Sequence, residues 1–274
     1  MDVNIEIDKG FVVKQRMFLN PFSYDKYIGR TMKKILILSD IHGNLSALNQ
    51  ILKAESLTTF AGVILLGDLI DYGPRSNEVV QKIKEIPKRQ VLANIWGNHE
   101  RAVVSLDDSR FSSERGKRCA AYTRRNLDDE TMAFLNGSME KSGKYEFELF
   151  GKQCLAVHGS LEDPYWKSIS HGEVGEAYAK YDLVFSGHSH IPHFFEHFYK
   201  CEYEMYRNKK RTVFLNPGSV GQPRNHNPNA HYAVLELETM SVQLKTIEYD
   251  VEYEMGLFSD EVDPFYRERL RIGV

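Results

Sequence analysis

A chain of 274 residues with 42% hydrophobic and 27% charged residues has the make-up of an ordinary globular protein, long enough for one large α/β domain or two small ones. Its formal net charge of -3 gives no basic excess of the kind a nucleic-acid backbone binder carries, and its apolar runs, such as 35–38 and 63–66, are far too short to span a bilayer. Cys119, Cys154 and Cys201 lie far apart with no C-x-x-C pair, which argues against a disulfide framework or a thiolate zinc site and fits a reducing cytoplasm.

Residues 1–31 mix charge, Phe and Tyr without a period and lack the apolar core of a signal peptide, so they are expected to form an extension outside the chemistry. At Met32 the character changes to Met-Lys-Lys followed by branched aliphatics, and the domain is expected to occupy 32–274. Residues 35–38 read as a buried strand. Residues 44–54 place Leu45, Leu48, Ile51 and Leu52 at helical spacing, 63–66 and 90–95 read as further strands, and 77–86 as a second helix. This alternation predicts right-handed βαβ units around a largely parallel sheet. Residues 99–140 read as helical, with an N-cap at Asp128 or Asp129. The remainder is strand-rich, at 145–149, 153–157, 183–185, 211–215, 231–238 and 242–249, with a hairpin at Thr239 and Met240. No repeat or linker interrupts the pattern, which predicts a single domain with two sheets.

The polar residues at strand ends carry the functional reading, because ligands in open α/β sheets sit outside the carboxyl ends of the strands. The first strand runs into Ser39-Asp40-Ile41-His42-Gly43-Asn44, the second into Gly67-Asp68-Leu69-Ile70-Asp71, and the third into Gly97-Asn98-His99-Glu100. Two later strands run into His158-Gly159 and Gly187-His188-Ser189-His190. Carboxylate and amide oxygens mixed with imidazoles suit Mn, Fe, Zn or Ni and not a calcium cage. Alone, each cluster has an ordinary explanation: a turn, a loop start, a helix cap or a surface pair. Five of them at strand termini in one chain point to a metal site.

The order D-x-H, G-D-x-x-D-x-G, G-N-H-E, H-G and G-H-S-H resembles the calcineurin-like metallophosphoesterases. The segments 73–78 and 215–224, and the tail 248–258, look like the small bacterial and archaeal phosphodiesterase branch, so the resemblance covers about residues 32–274. It implies an α/β (α+β) fold, a four-layer α-β-β-α sandwich with two mixed sheets. It also implies two divalent ions, manganese first, with iron, zinc, nickel or magnesium as alternatives. Carried over residue by residue, one ion falls to Asp40, His42 and His190 and the other to Asn98, His158 and His188, with Asp68 bridging. Two such ions about 3.5–4 Å apart would activate water and clamp the phosphoryl oxygens, so no protein nucleophile is required, and no G-x-S-x-G elbow is present. His99 resembles the family's catalytic histidine, acting on the leaving oxygen, and Asp71 is expected either to orient an imidazole or to cap the helix near Ser76.

Arg224 lies in a loop that resembles one near the active site of relatives and is a candidate phosphate contact. His171, His193, His197, His226 and His231 are expected at the surface or core edge, Trp96 and Trp166 in packing, and the basic run 114–125 on a solvated helix face or along the groove. Protein phosphatases of this superfamily carry an arginine where Tyr72 stands, which lowers the odds of a phosphoprotein substrate. The expected partner is therefore a small nucleotide-like phosphodiester, with no membrane and no sequence-specific nucleic acid. A phosphomonoesterase and an interaction scaffold are the rival readings, and the aromatic tail 249–266 leaves a homo-oligomer open.

Overall fold

The computed structural model describes residues 34–200 and 210–274; the expected amino-terminal extension 1–31, Met32 and Cys201 lie outside them. Strands β1 (Lys34–Leu38), β2 (Phe60–Leu65) and β3 (Val91–Asn94) are parallel and are linked by helices α1 (Leu45–Ala54) and α2 (Ser76–Lys84). Antiparallel β9 (Ala230–Glu236) and β10 (Ser241–Ile247) complete a five-stranded sheet of order β10-β9-β1-β2-β3. The hairpin between them turns at Met240, whose φ is 54°. A second sheet runs β4-β5-β6-β8-β7, from β4 (Lys144–Leu149), β5 (Lys152–Val157), β6 (Leu183–Ser186), β7 (His193–Phe198) and β8 (Arg211–Asn216). Its inner strands β5, β6 and β8 are parallel and its two edges antiparallel.

Alternation of side chains along the strands builds the layers. On β1, Leu36 and Leu38 pack against the helices, while Ile35 and Ile37 face the second sheet together with Ile64, Leu66, Ala233 and Leu235. Cys154, Ala156, Leu183 and Phe185 meet them from the other side. Each fully buried aliphatic in these layers contributes about 1.5–3 kcal/mol. The outer face of the second sheet is covered by Ile169, Tyr178 and Tyr181 from a loop with short 3-10 turns, which supplies the fourth layer.

The expected helical stretch divides into α3 (Asn98–Ser105), α4 (Glu114–Asn126) and α5 (Asp129–Gly137). Asp128 caps α5 by accepting from the Thr131 amide at 2.6 Å. One strand, β7, has no counterpart in the sequence reading. It is an edge strand with both faces half open, so its sequence His-Phe-Phe-Glu-His-Phe shows no clean alternation.

The carboxyl-terminal segment folds back over the first sheet as α6 (Val251–Met255) and α7 (Pro264–Glu268). Tyr249 Oη accepts from Asn44 Nδ2 at 3.1 Å. The fully buried Glu254 carboxylate pairs with Arg75, whose Nη2 also donates to Ser46 Oγ at 2.7 Å. Arg75→Ala leaves that carboxylate desolvated with only the Ser46 amide as a donor, at 3.3 Å. A loss of about 3–5 kcal/mol is expected in urea unfolding. A loss under about 1 kcal/mol would show that the pair behaves as a surface contact.

Candidate metal centre

Parallel strands end on the same side, so the loops after β1, β2, β3, β5 and β6 converge at one end of the sandwich. All seven expected ligands are brought together there. The ligand atoms of Asp40, His42, Asp68 and His190 lie within 4.8 Å of one another, and all four residues are buried. Asn98 Oδ1 sits 3.0 Å from both His158 Nε2 and His188 Nδ1, and Asp68 Oδ2 lies 3.3 Å from His158 Nε2 and 3.7 Å from His42 Nε2. Asp68 thus stands between the two groups.

The backbone is bent to make this possible. Asp40, His42, Asp68, Asp71, His188 and His190 all adopt positive φ, between 49° and 71°. Non-glycine residues persist there only where the surroundings over-determine them, at a cost of order 1–3 kcal/mol each. Two glycines in the motifs are required by close approach: a Cβ on Gly97 would overlap Asp68 Oδ1, and one on Gly187 would overlap Ser39 Oγ.

Hydrogen bonding fixes the imidazoles. His42, His158 and His190 turn Nδ1 to the carbonyls of Ile70, Leu66 and Gln222 at 3.2, 2.7 and 2.5 Å. His188 instead turns Nε2 to the Trp166 carbonyl at 3.1 Å. A carbonyl only accepts, so each of these nitrogens carries its hydrogen, and the other nitrogen of each ring faces the cluster, presenting a lone pair on His42, His188 and His190. His42 Nε2 and His190 Nε2 are 3.1 Å apart, and His190 Nε2 is 3.2 Å from Asp40 Oδ1. Acceptors therefore face acceptors, and Asp40 Oδ1 and Asp68 Oδ2 are buried with no hydrogen-bond partner. A cation resolves that arrangement, so the residues fit a divalent metal.

Electrostatics agree. Burial holds His42 and His190 below the ordinary histidine range and takes His188 down to about 3, leaving them neutral, as expected ligands should be. Burial opposes ionisation of Asp68, yet His158 and His99 outweigh it and hold the carboxyl well below its usual value. Burial likewise pulls His158 down, but the Asp68 carboxylate raises it to about 9, so a metal there displaces a proton.

His99 lies beside the ligands without joining them. Its Nδ1 donates to Asp71 Oδ2 at 2.7 Å, and its ring packs edge-on against Tyr72 at 4.3 Å and against His42 at 4.7 Å. Burial lowers its basicity, but Asp68 and then Asp71 more than offset this and raise it. Asp71 therefore takes the orienting place rather than the helix cap: α2 starts after Arg75 without a side-chain cap, and Ser76 Oγ accepts from the Asp71 amide at 3.0 Å. Asp71→Asn is expected to lower kcat roughly 10–100-fold with metal content unchanged. Unaltered kcat would reduce Asp71 to a packing residue.

Several contributors escaped the sequence reading. Glu100 is fully buried and clamps the second and third loops together, accepting from the amides of Asp68, Leu69 and Gly97 at 2.7–2.8 Å. Burial and the Asp68 charge raise its carboxyl to about 7. Thr123, inside the basic run of α4, donates to Asp71 Oδ1 at 2.6 Å, and Ser39 Oγ donates to Asp40 Oδ2 at 2.5 Å. The only signal for Glu100 was its place in G-N-H-E, and Thr123 gave none. Arg224 reaches the site through its amide, which donates to the His190 carbonyl at 3.3 Å. The other histidines stay outside: His193 and His197 on β7, His231 on β9, His171 and His226 in loops. Trp96 is core, donating to the Leu135 carbonyl at 2.7 Å.

Two mixed sheets that deliver Asp, Asn and His side chains to one end define a metal-binding α/β sandwich of the hydrolase type. The description "Calcineurin-like phosphoesterase superfamily domain" fits residues 32–240, and the chain belongs to that family of phosphoester hydrolases. An uncharacterized protein of Methanocaldococcus jannaschii is 28% identical over 248 residues, covering 87% of this chain and 98% of that one. Phosphodiesterase YfcE of Escherichia coli K12 is 26% identical over 212 residues, covering 77% and 91%. Among solved structures, a metallophosphoesterase from Sphaerobacter thermophilus superposes with a TM-score of 0.69 at 25% identity, over 89% of this chain and all of that one. A hypothetical protein from Pyrococcus horikoshii shares the fold, with a TM-score of 0.70 at 20% identity, over 88% and 98%.

Proposed function

We propose that the chain is a dinuclear, manganese-type phosphodiesterase that hydrolyses a nucleotide or related small phosphodiester. The observation that carries this reading is the buried Asp68 Oδ2, set 3.7 Å from His42 Nε2 and 3.3 Å from His158 Nε2, where one carboxylate can serve both groups of residues. Asp40, His42 and His190 would hold the first ion, and Asn98, His158 and His188 the second. When bound, the ions would supply Lewis-acid polarisation of the phosphoryl group and neutralise its charge. His99, held by Asp71, hydrogen-bonds the leaving oxygen as negative charge develops there. Glu100 keeps the Asp68 and Asn98 loops in register, and the Phe111 ring, 5.1 Å from that of His99, helps exclude water.

The YfcE relative, named a phosphodiesterase, supports the diester over the monoester. Tyr72 supports it too, because a buried phenol stands beside His42 and His99 where protein phosphatases of the superfamily carry an arginine. Cytoplasmic placement belongs to the same proposal and is supported by the free, buried Cys119 and Cys154. No helix among the described residues is long and apolar enough to cross a membrane.

The test is hydrolysis of bis-p-nitrophenyl phosphate against p-nitrophenyl phosphate on metal-stripped protein with Mn²⁺ added back. Mn-dependent cleavage that favours the diester is expected. Preference for the monoester would move the chain to the phosphomonoesterases. Two bound ions with no turnover of either ester would favour the scaffold reading.

A further inference from the structure

Three arginines from distant parts of the chain gather beside the metal centre with no Asp or Glu partner among the described residues. Arg115 lies in the first turn of α4, Arg224 in the loop after β8, and Arg269 just beyond α7. Their neighbours are neutralised in the ordinary way: Arg118 meets Asp263, Arg267 meets Glu268, and Arg271 meets Glu252. Arg115, Arg224 and Arg269 meet no Asp or Glu among the described residues, and Arg115 and Arg269 lie instead against the Phe265 ring. Arg269 Nε donates to an oxygen of the terminal Val274 carboxylate, which offsets part of its charge, while Arg224 Nε is buried with no partner among the described residues.

An aromatic ladder connects these groups to the site. His99 packs on Tyr72 at 4.3 Å, Tyr72 stacks on Tyr266 at 4.5 Å, and Tyr266 meets Phe265 at 5.4 Å. The Arg115 and Arg269 guanidinium carbons lie 4.0 and 4.9 Å from the centroid of that last ring. Arg224 joins from the metal side, through its amide on the His190 carbonyl. Gln222 Nε2 ties the two sides by donating to the Tyr266 carbonyl at 3.0 Å.

Guanidinium groups repel one another when they are partly desolvated and uncompensated. Arg269 shows this: burial and then the Arg224 charge pull it down to about 10. An anion seated among these groups would offset that repulsion, and a planar guanidinium matches phosphate oxygens with two parallel hydrogen bonds. An anion here would sit one step outward from the scissile group.

We propose that Arg115, Arg224 and Arg269 form a subsite for a second phosphate group, so that the substrate carries at least one phosphate beyond the one cleaved. The assignment rests on the phosphodiesterase reading for its cleavage step, but not for its binding step. Arg224 stands nearest His190, while Arg115 and Arg269, both against the Phe265 ring, reach the outer phosphate. Tyr72 and Tyr266 form the floor between them.

The test is a calorimetric titration of metal-stripped full-length chain with AMP, ADP and adenosine 3′,5′-bisphosphate. At least one doubly phosphorylated ligand should bind on the order of tenfold more tightly than AMP. In Arg115→Gln/Arg269→Gln that ratio should fall to about one, with AMP affinity unchanged. Each single variant should lose part of the preference, which covers a double variant that fails to fold. Equal affinities for all three ligands in the wild type, or a preference that survives both substitutions, would overturn the subsite. The two readings separate cleanly. A lost preference alongside Mn-dependent cleavage of bis-p-nitrophenyl phosphate removes the subsite alone, and an intact preference without diester cleavage removes the phosphodiesterase alone.

Discussion

His99→Ala is expected to lower kcat on bis-p-nitrophenyl phosphate by about 10²–10⁴-fold, with KM and metal stoichiometry little changed. The size of the effect follows from how firmly the ring is held. Nδ1 is committed to Asp71 at 2.7 Å, and Asp71 is itself fixed by Thr123 at 2.6 Å. His42, Tyr72 and Phe111 pack around the ring. Nε2 is the edge left to act on substrate; it lies 4.0 Å from Asp68 Oδ2, next to the ligands but not among them. An interaction made only as charge develops on the leaving oxygen lowers kcat and kcat/KM together when it is removed. Steady-state kinetics with metal analysis on the same preparations checks this. A loss below about tenfold would remove His99 from the proton-transfer role.

The second large effect is on metal-linked stability. Metal-stripped wild-type chain should gain about 4 kcal/mol at a thousandfold excess of Mn²⁺ over its dissociation constant, since an ion that binds only the folded state stabilises by mass action. For a chain of this size that corresponds to a rise in Tm on the order of 10 °C. Asp68→Asn should abolish most of the rise. The substitution removes the one carboxylate oxygen that lies between both histidine groups, at 3.3 Å from His158 and 3.7 Å from His42. It also removes the charge that keeps His158 basic, so the metal-free variant loses a buried attraction as well. Differential scanning fluorimetry with and without Mn²⁺ measures both quantities. A full-sized Mn²⁺ shift in Asp68→Asn would overturn the bridging assignment.

The sequence by itself determined the strand-end clusters and the βαβ order that places them. Singling out Asp40, His42, Asp68, Asn98, His158, His188 and His190 within them rested on the family resemblance; the clusters themselves were legible because metal-competent side chains at strand termini are a local pattern and parallel strands send their carboxyl ends to one side. The branched-aliphatic strands β1 and β2 were legible for the same reason: they are buried on both faces and read as continuous apolar runs. The choice for Asp71 was not. Capping a helix and holding His99 require the same residue type at the same spacing, and only the packing of α3 and α4 against the second loop brings His99 and Thr123 to its two oxygens.

Contacts between segments far apart in sequence were decided by the tertiary structure alone. Glu100 clamps the Asp68 loop from 31 and 32 residues away, and the Gln222 carbonyl reaches back 32 residues to set the tautomer of His190. Arg75 meets Glu254 across 179 positions. The edge strand β7 and the arginines beside Phe265 belong to the same class. Their one-dimensional signal is a half-exposed stretch and a basic run, and neither composition nor period says what lies opposite. Local chemistry and periodicity specify which groups a chain carries to its strand ends; which of them touch is fixed only when the sheets pack and the carboxyl-terminal segment closes over them.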